Sequence, residues 1–431
     1  MRRKLSKASI SGFAGIMAWP IFAISGCSGD SGPVDAALPI SLGASPAAPD
    51  SLAPHLAATP GGDAVLSWLE PAGGDAHAVR YSVLRQDEWS SPVSVAKGNN
   101  WFVNYADIPS VVPITEDVWA AHWLSKQPGG TYAYDIAVSI SPDGGQSWSP
   151  PFAPHDDGTP TEHGFVTLFP WSDSLGAVWL DGRNTQPDAT SSASPMPGKD
   201  ESPTAEDEAG GMTLRYARFD YEGKELDGGE IDDRVCDCCQ TDVAMTDDGP
   251  LIAYRDRSTN EIRDISVVRH AEGRWTEPVT ISDDSWQIAA CPVNGPAIAA
   301  SGANVVVTWY AAPDSESRIK LAWSRDAGRT FTAPVVIDEG GVNGRVDVTL
   351  IDAETAVISW VGKTDSGIAQ VRRREAGICG EAVPDNIVSE GNFSRGTGFP
   401  KLINTGSRLV IAWPEAGDTR RVHTGIVAVE D

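Results

Sequence analysis

A chain of 431 residues with 59 acidic and only 33 basic side chains carries a formal charge of −26 at neutral pH. Acidity on that scale argues against nucleic acid as a partner and against direct adsorption to anionic lipid. No long amphipathic pattern of helical period runs through the sequence. Short alternating runs containing Trp, Val and Ile recur between Gly-rich turns, so the fold class expected is all-β.

The chain begins with Arg2, Arg3, Lys4 and Lys7, followed by an apolar stretch from Ile10 to Ile24 that ends at Ile24-Ser25-Gly26-Cys27. Residues 1–26 read as a secretory signal, too short and too interrupted by Gly and Pro to span a membrane. An ordinary cleaved signal peptide is one reading. The small-residue–Cys ending also resembles the lipobox of bacterial lipoproteins. That resemblance implies cleavage before Cys27, lipid on its thiol and new amino terminus, and an exported protein held on the cell-envelope membrane only through that lipid. Loss of the signal removes four positive charges and leaves about −30. Residues 27–50 are small, polar and Pro-rich, as a flexible tether is.

From residue 51 to 431 a phrase of about 53 residues repeats: an apolar run ending on an aromatic, then a polar turn. The aromatics are Trp68, Trp123, Trp179, Tyr254, Trp309, Trp360 and Trp413, spaced 55, 56, 75, 55, 51 and 53 residues apart. The long interval contains a Ser-, Pro- and acid-rich insertion at 184–211. Self-similarity at this period predicts a β-propeller of four-stranded blades, seven by count. Each unit reads as an inner strand, the aromatic strand, a third strand, and a fourth carrying a Trp- or Phe-x-x-Pro phrase. The seventh unit runs out after three strands, and Leu38–Leu42 is expected to supply its outer strand, closing the ring and removing open edges.

Two turns, Ser141-Pro-Asp143-Gly-Gly145-Gln-Ser-Trp148 and Ser324-Arg-Asp326-Ala-Gly328-Arg-Thr-Phe331, fit Ser-x-Asp-x-Gly-x-x-aromatic. The carboxylate accepts backbone N–H groups and the glycine takes positive φ. These turns resemble the Asp-boxes of the sialidase superfamily and other BNR-repeat proteins. The architecture they imply covers nearly all of the mature chain, with six blades, as in sialidases, as the alternative count. The resemblance also implies an arginine triad for the carboxylate of sialic acid, an Asp acid/base, and a Tyr nucleophile activated by Glu. This chain departs from that pattern in having Asp107-Ile108-Pro109 where the family has Arg-Ile-Pro, and no Tyr after Tyr310.

In a propeller, inner strands begin and aromatic strands end on the same face. That places four acid/base candidates there: Asp107, Glu162, Asp181 and Asp256. Five arginines, Arg183, Arg255, Arg257, Arg345 and Arg395, converge from different blades as candidates for holding an anion, because guanidinium matches carboxylate as a fork. Surface ion pairing is their plainer role. Cys236, Cys238, Cys239 and Cys291 meet the same face. They read as an interblade disulfide (Cys239–Cys291 or Cys238–Cys291), as a thiolate site for copper or zinc completed by His163, or as a reactive thiol. With Cys379, five cysteines follow Cys27, so one thiol is left over unless a metal or another chain takes it. His122 reads as core, and Asp117, Asp135 and Asp173 as turn or strand-edge residues.

Three functions follow. The first is binding of a small anionic ligand or soft metal ion in an axial pocket, and it is the reading favoured here. The second is exo-glycosidase action on a glycan in the sialidase manner. The third is a scaffold for another envelope protein. Neither substrate nor oligomeric state is written in the sequence.

Overall fold

A computed structural model describes residues 40–185, 210–364, 366, 368–380, 383–391, 398–415 and 420–429. Cys27 with the rest of the leader, Arg395 and most of the 184–211 insertion lie outside these residues.

Seven antiparallel sheets make up the fold. Their inner strands are Leu52–Ala58, Ser110–Pro113, His163–Trp171, Asp242–Thr246, Ala297–Ser301, Val342–Leu350 and Lys401–Asn404. Each packs beside the next, and the last packs beside the first, closing a ring. The chain is therefore a seven-bladed β-propeller, numbered here from blade one in chain order, and the six-blade alternative falls.

The second strand of each blade carries the repeated aromatic and is sandwiched between neighbouring blades. Its residues are therefore buried on both faces, as in Ala64–Pro71, where only the last is exposed. Trp68, Trp309 and Trp360 are fully buried, and each contributes on the order of 2–3 kcal/mol by leaving water. A buried indole N–H needs an acceptor, and an acid provides it in several blades. Trp68 donates to Glu70 at 2.8 Å, Trp179 to Asp181 at 2.9 Å, Trp309 to Asp284 at 2.7 Å and Trp360 to Asp338 at 2.8 Å.

Blade seven is completed from the other end of the chain. Ser41–Gly43 pairs with Arg421–Ala428, with Ser41 opposite Ile426. The segment expected at 38–42 thus enters the sheet slightly later. Blade two keeps three strands plus an isolated bridge between Val138 and Phe152. The aromatic-x-x-Pro phrase does not lie within the fourth strand. In blades one and four its Trp sits in a two-residue hairpin return (Glu88–Trp89, Arg274–Trp275), and the outer strand starts only after the Pro, at Val93 and Val279. Proline lacks the N–H that a paired strand donates.

The two Ser-x-Asp turns share one hydrogen-bond pattern. Ser141 and Ser324 accept the N–H of Gly145 and Gly328 at 2.8 and 2.9 Å, while Asp143 and Asp326 accept those of Ser147 and Thr330, each at 2.8 Å. Gly145 and Gly328 have φ of +87° and +80°, where a Cβ would be strained.

Candidate active site

Inner-strand starts are tied to one another around the axis. Gln240 donates to the Ala106 carbonyl at 2.8 Å and accepts the Gly295 N–H at 3.1 Å; the Arg345 N–H reaches Asn294 Oδ1 at 2.8 Å. On this belt, a bulge between Gly164 and Thr167 opens the inner strand of blade three, with Phe165 at φ +53°. The bulge aims the Phe165 N–H at Asp107 Oδ1, 2.8 Å away. Gly164 is required for space, because a Cβ there would lie 2.1 Å from Asp107 Oδ2.

Asp107 Oδ2 also receives the hydroxyl of Tyr134, at 3.1 Å, and the same hydroxyl lies 2.6 Å from Glu162 Oε1. Two carboxyl groups from blades two and three therefore share one phenol. Asp107 and Tyr134 are buried, whereas Glu162 is half-buried and reaches solvent. Burial, with the charge of Glu162, pushes Asp107 up to about 7; burial, with the charge of Asp237, pushes Glu162 up to about 7. A phenol donates one hydrogen and accepts others. Protonated Asp107, Tyr134 and ionised Glu162 therefore form a continuous donor chain that carries a proton toward the exposed end.

A second cluster adjoins the first through His163. Its Nε2 lies 3.0 Å from Asp157 Oδ2 and 3.8 Å from Asp181 Oδ1, and its Nδ1 lies 3.7 Å from Asp135. His155 stacks on it at 3.9 Å and is pushed down to about 4 by burial and by that neighbour. Arg183 joins Asp181 at 2.7 Å and Asp157 at 3.2 Å. Against its own burial, Asp181 is held below the usual carboxylate range by Arg183 and Trp179. Asp157 is likewise held well below that range, against burial, by Thr159, His163 and Arg183.

The other sequence candidates are dispersed. Asp256 accepts Ser266 at 3.2 Å and the Arg257 N–H at 2.6 Å, and none of its described hydrogen bonds reaches Asp107, Glu162 or Asp181. The described arginines form no common clamp. Arg255 is buried on three backbone carbonyls, and Arg257 pairs with Asp237 at 2.9 Å and Glu261 at 2.6 Å. Arg345 donates to the Gly398 carbonyl at 3.0 Å and lies over the Tyr105 ring, 5.3 Å from its centroid.

The cysteines pair as Cys236–Cys239 and Cys238–Cys291. The second bond is one of the two interblade links expected; the first was not foreseen. No described cysteine carries a free thiol, so the leftover thiol is absent among them, and His163 is surrounded by carboxylates and His155 rather than by sulfur. Groups of His, Asp and Cys with ligand atoms close enough to hold a metal ion are nonetheless present. Tyr134, His155 and Asp157 were missed, and Asp135 was taken for a strand-edge residue. Third strands also begin on the axial face, and that topological signal would have found Tyr134.

No protein-family profile matches this chain, and no curated protein matches it. Among solved structures it is similar to the phage phi92 endosialidase, at 9% identity over 91% of this chain and 69% of that one, with a TM-score of 0.48. It is also similar to the GH93 α-L-arabinofuranosidase of Fusarium graminearum, solved with arabinobiose, at 13% identity over 88% and 93% with a TM-score of 0.46. A protein of unknown function from Dyadobacter fermentans aligns at 12% identity over 88% and 95%, also at 0.46. The resemblance to sialidases is broad and lies at low sequence identity.

The raised pKa of Asp107 has a consequence for stability. Native Asp107 binds its proton more tightly than an unfolded carboxyl does, so its contribution is complete below about pH 4 and is lost as pH rises through about 7. Asp107→Asn keeps the acceptor for Phe165 and removes the titration. The variant is therefore expected to gain roughly 2–4 kcal/mol relative to wild type between pH 4.5 and pH 8. Urea unfolding at the two pH values measures this, and a difference independent of pH refutes the assignment.

Proposed function

We propose that the protein is an exported, envelope-anchored glycoside hydrolase whose centre is the Tyr134 hydroxyl shared by Glu162 and Asp107. The observation that carries this reading is the pair of distances, 2.6 and 3.1 Å, from one phenol oxygen to two carboxyl groups of different blades. The shared phenol couples the two carboxyls, so a proton held by buried Asp107 reaches Glu162 through one hydroxyl. Glu162, the solvent-reaching member, gives its proton to the departing glycosidic oxygen and recovers it from the incoming water. Tyr134 and Asp107 hold that carboxyl in place and adjust its protonation. The small-residue–Cys ending of the leader is what supports export and anchoring.

The described arginines at this face are engaged within the protein, and the surroundings are rich in carboxylates. Both features favour a neutral glycan over the anionic ligand that the arginines alone suggest. Chromogenic aryl glycosides of neutral sugars, with a sialoside for comparison, provide the test. Turnover is expected for a neutral member, falling about 10²–10⁴-fold in Glu162→Gln and markedly in Tyr134→Phe. No turnover of any panel member by wild type, or full activity in Glu162→Gln, overturns the reading.

A further inference from the structure

We infer that His163, Asp157 and Asp181 form a binding site for one zinc-class divalent cation, using Nε2, Oδ2 and Oδ1 respectively. The inference rests on this cluster alone and not on the hydrolytic reading.

The spacing of the ligand atoms fits such an ion. Bonds of about 2.0–2.1 Å to nitrogen and oxygen in tetrahedral geometry put neighbouring ligand atoms roughly 3.3 Å apart. His163 Nε2 lies 3.0 Å from Asp157 Oδ2 and 3.8 Å from Asp181 Oδ1, and one ligand atom from each of the three residues lies within 4.8 Å of the others. One imidazole with two carboxylates suits a borderline first-row ion better than the thiolate set, whose sulfurs are paired in disulfides.

The outer contacts orient each donor. Asp157 spends Oδ1 on the Thr159 N–H at 2.9 Å and on the Thr159 hydroxyl, leaving Oδ2 toward His163. Asp181 Oδ2 accepts the Trp179 indole at 2.9 Å and Arg183 at 2.8 Å, while Oδ1, which accepts Arg183 Nε at 2.7 Å and its backbone N–H at 3.1 Å, is the oxygen nearer His163. His163 Nδ1 lies 3.3 Å from the Tyr134 carbonyl. As an N–H donor there, it leaves Nε2 with the free lone pair that a metal takes. Fixing the remote nitrogen or oxygen of each ligand in this manner is how outer partners orient metal-binding side chains. Arg183 donates to the same two oxygens, Asp181 Oδ1 at 2.7 Å and Asp157 Oδ2 at 3.2 Å, and offsets part of their buried charge, so an entering cation takes the second lone pair of each oxygen or moves the guanidinium aside. Two ionised carboxylates against one guanidinium leave an excess negative charge that a divalent cation neutralises.

The test uses the purified full-length protein without reductant, stripped with chelator and dialysed against zinc. One equivalent of zinc per chain and a rise of several degrees in unfolding midpoint are expected. Both effects should be lost in Asp157→Asn and retained in Asp135→Asn, because Asp135 faces the other imidazole nitrogen. Should Asp157→Asn fail to fold, Thr159→Val, in a half-buried loop position, removes the hydroxyl partner of Asp157 and is expected to weaken zinc binding about 10–100-fold. Wild type that retains no stoichiometric zinc, or zinc retained unchanged by Asp157→Asn or Thr159→Val, overturns the assignment. In either case the cluster is then an imidazole and guanidinium network complete without metal. This outcome is independent of glycoside turnover, so the two proposals fail separately.

Discussion

Arg255→Ala is expected to cost about 3–5 kcal/mol of folding stability, a large share of what a protein of this kind possesses. Arg255 ends the aromatic strand of blade four and is only 2% exposed. Its guanidinium donates to the carbonyls of Asn294 at 2.8 Å, Arg263 at 2.5 Å and Tyr310 at 2.6 Å, and lies 4.9 Å from the centre of the Trp286 ring. Asn294 and Tyr310 belong to blade five, so a single side chain fastens two blades. Truncation leaves three buried acceptors unpaired, each costing about 1–3 kcal/mol unless water reaches it. Arg255→Lys is expected to recover only part of the loss, since an ammonium cannot span three acceptors fixed in the plane of a fork. Urea unfolding of the two variants against wild type measures the effect. A loss under about 1 kcal/mol for alanine would mean that water replaces the guanidinium freely.

The two disulfides are expected to differ in worth by the length of chain each closes. Cys238–Cys291 spans 53 residues and joins the start of blade four to the start of blade five, whereas Cys236–Cys239 spans three. On the loop-entropy account these spans correspond to about 4 and about 2 kcal/mol. The paired replacement of Cys238 and Cys291 by serine should therefore unfold at markedly lower denaturant than the same change at Cys236 and Cys239. Replacing both partners matters, because Cys291→Ser alone leaves a thiol beside the Cys236–Cys239 bond, where it can attack and exchange. Denaturation under oxidising conditions decides the matter, and equal losses for the two pairs would count against the loop account.

The repeat was legible because it is local. A strand sandwiched between blades must be apolar on both faces and a tight turn must carry its glycine, so Trp68 to Trp413 and the Asp143 and Asp326 turns announce the architecture residue by residue. The site was legible only in part. Asp107, Glu162 and His163 could be placed on the axial face because that follows from strand order. Which of them touch depends on the offset between neighbouring blades and on the 152–162 loop that brings in His155 and Asp157. Arg255 shows the limit most clearly. Its sequence context, Arg-Asp-Arg at a strand end, suits an exposed charged turn or a ligand fork equally well. Only the position of the carbonyls in the next blade makes it a fastener.

The strand at Ser41–Gly43 bears on how the ring is shut. Its partner, Arg421–Ala428, lies at the far end of the propeller in sequence, so the pairing joins the first and last described strands. Joining segments so distant in sequence carries a loop-closure cost that grows only with the logarithm of the separation, and it is met in a single pairing. Until that pairing forms, blade seven presents a bare strand edge to whatever else is unfolded nearby. Once it is made, blade seven holds both ends of the propeller in one sheet and cannot come apart without breaking that pairing.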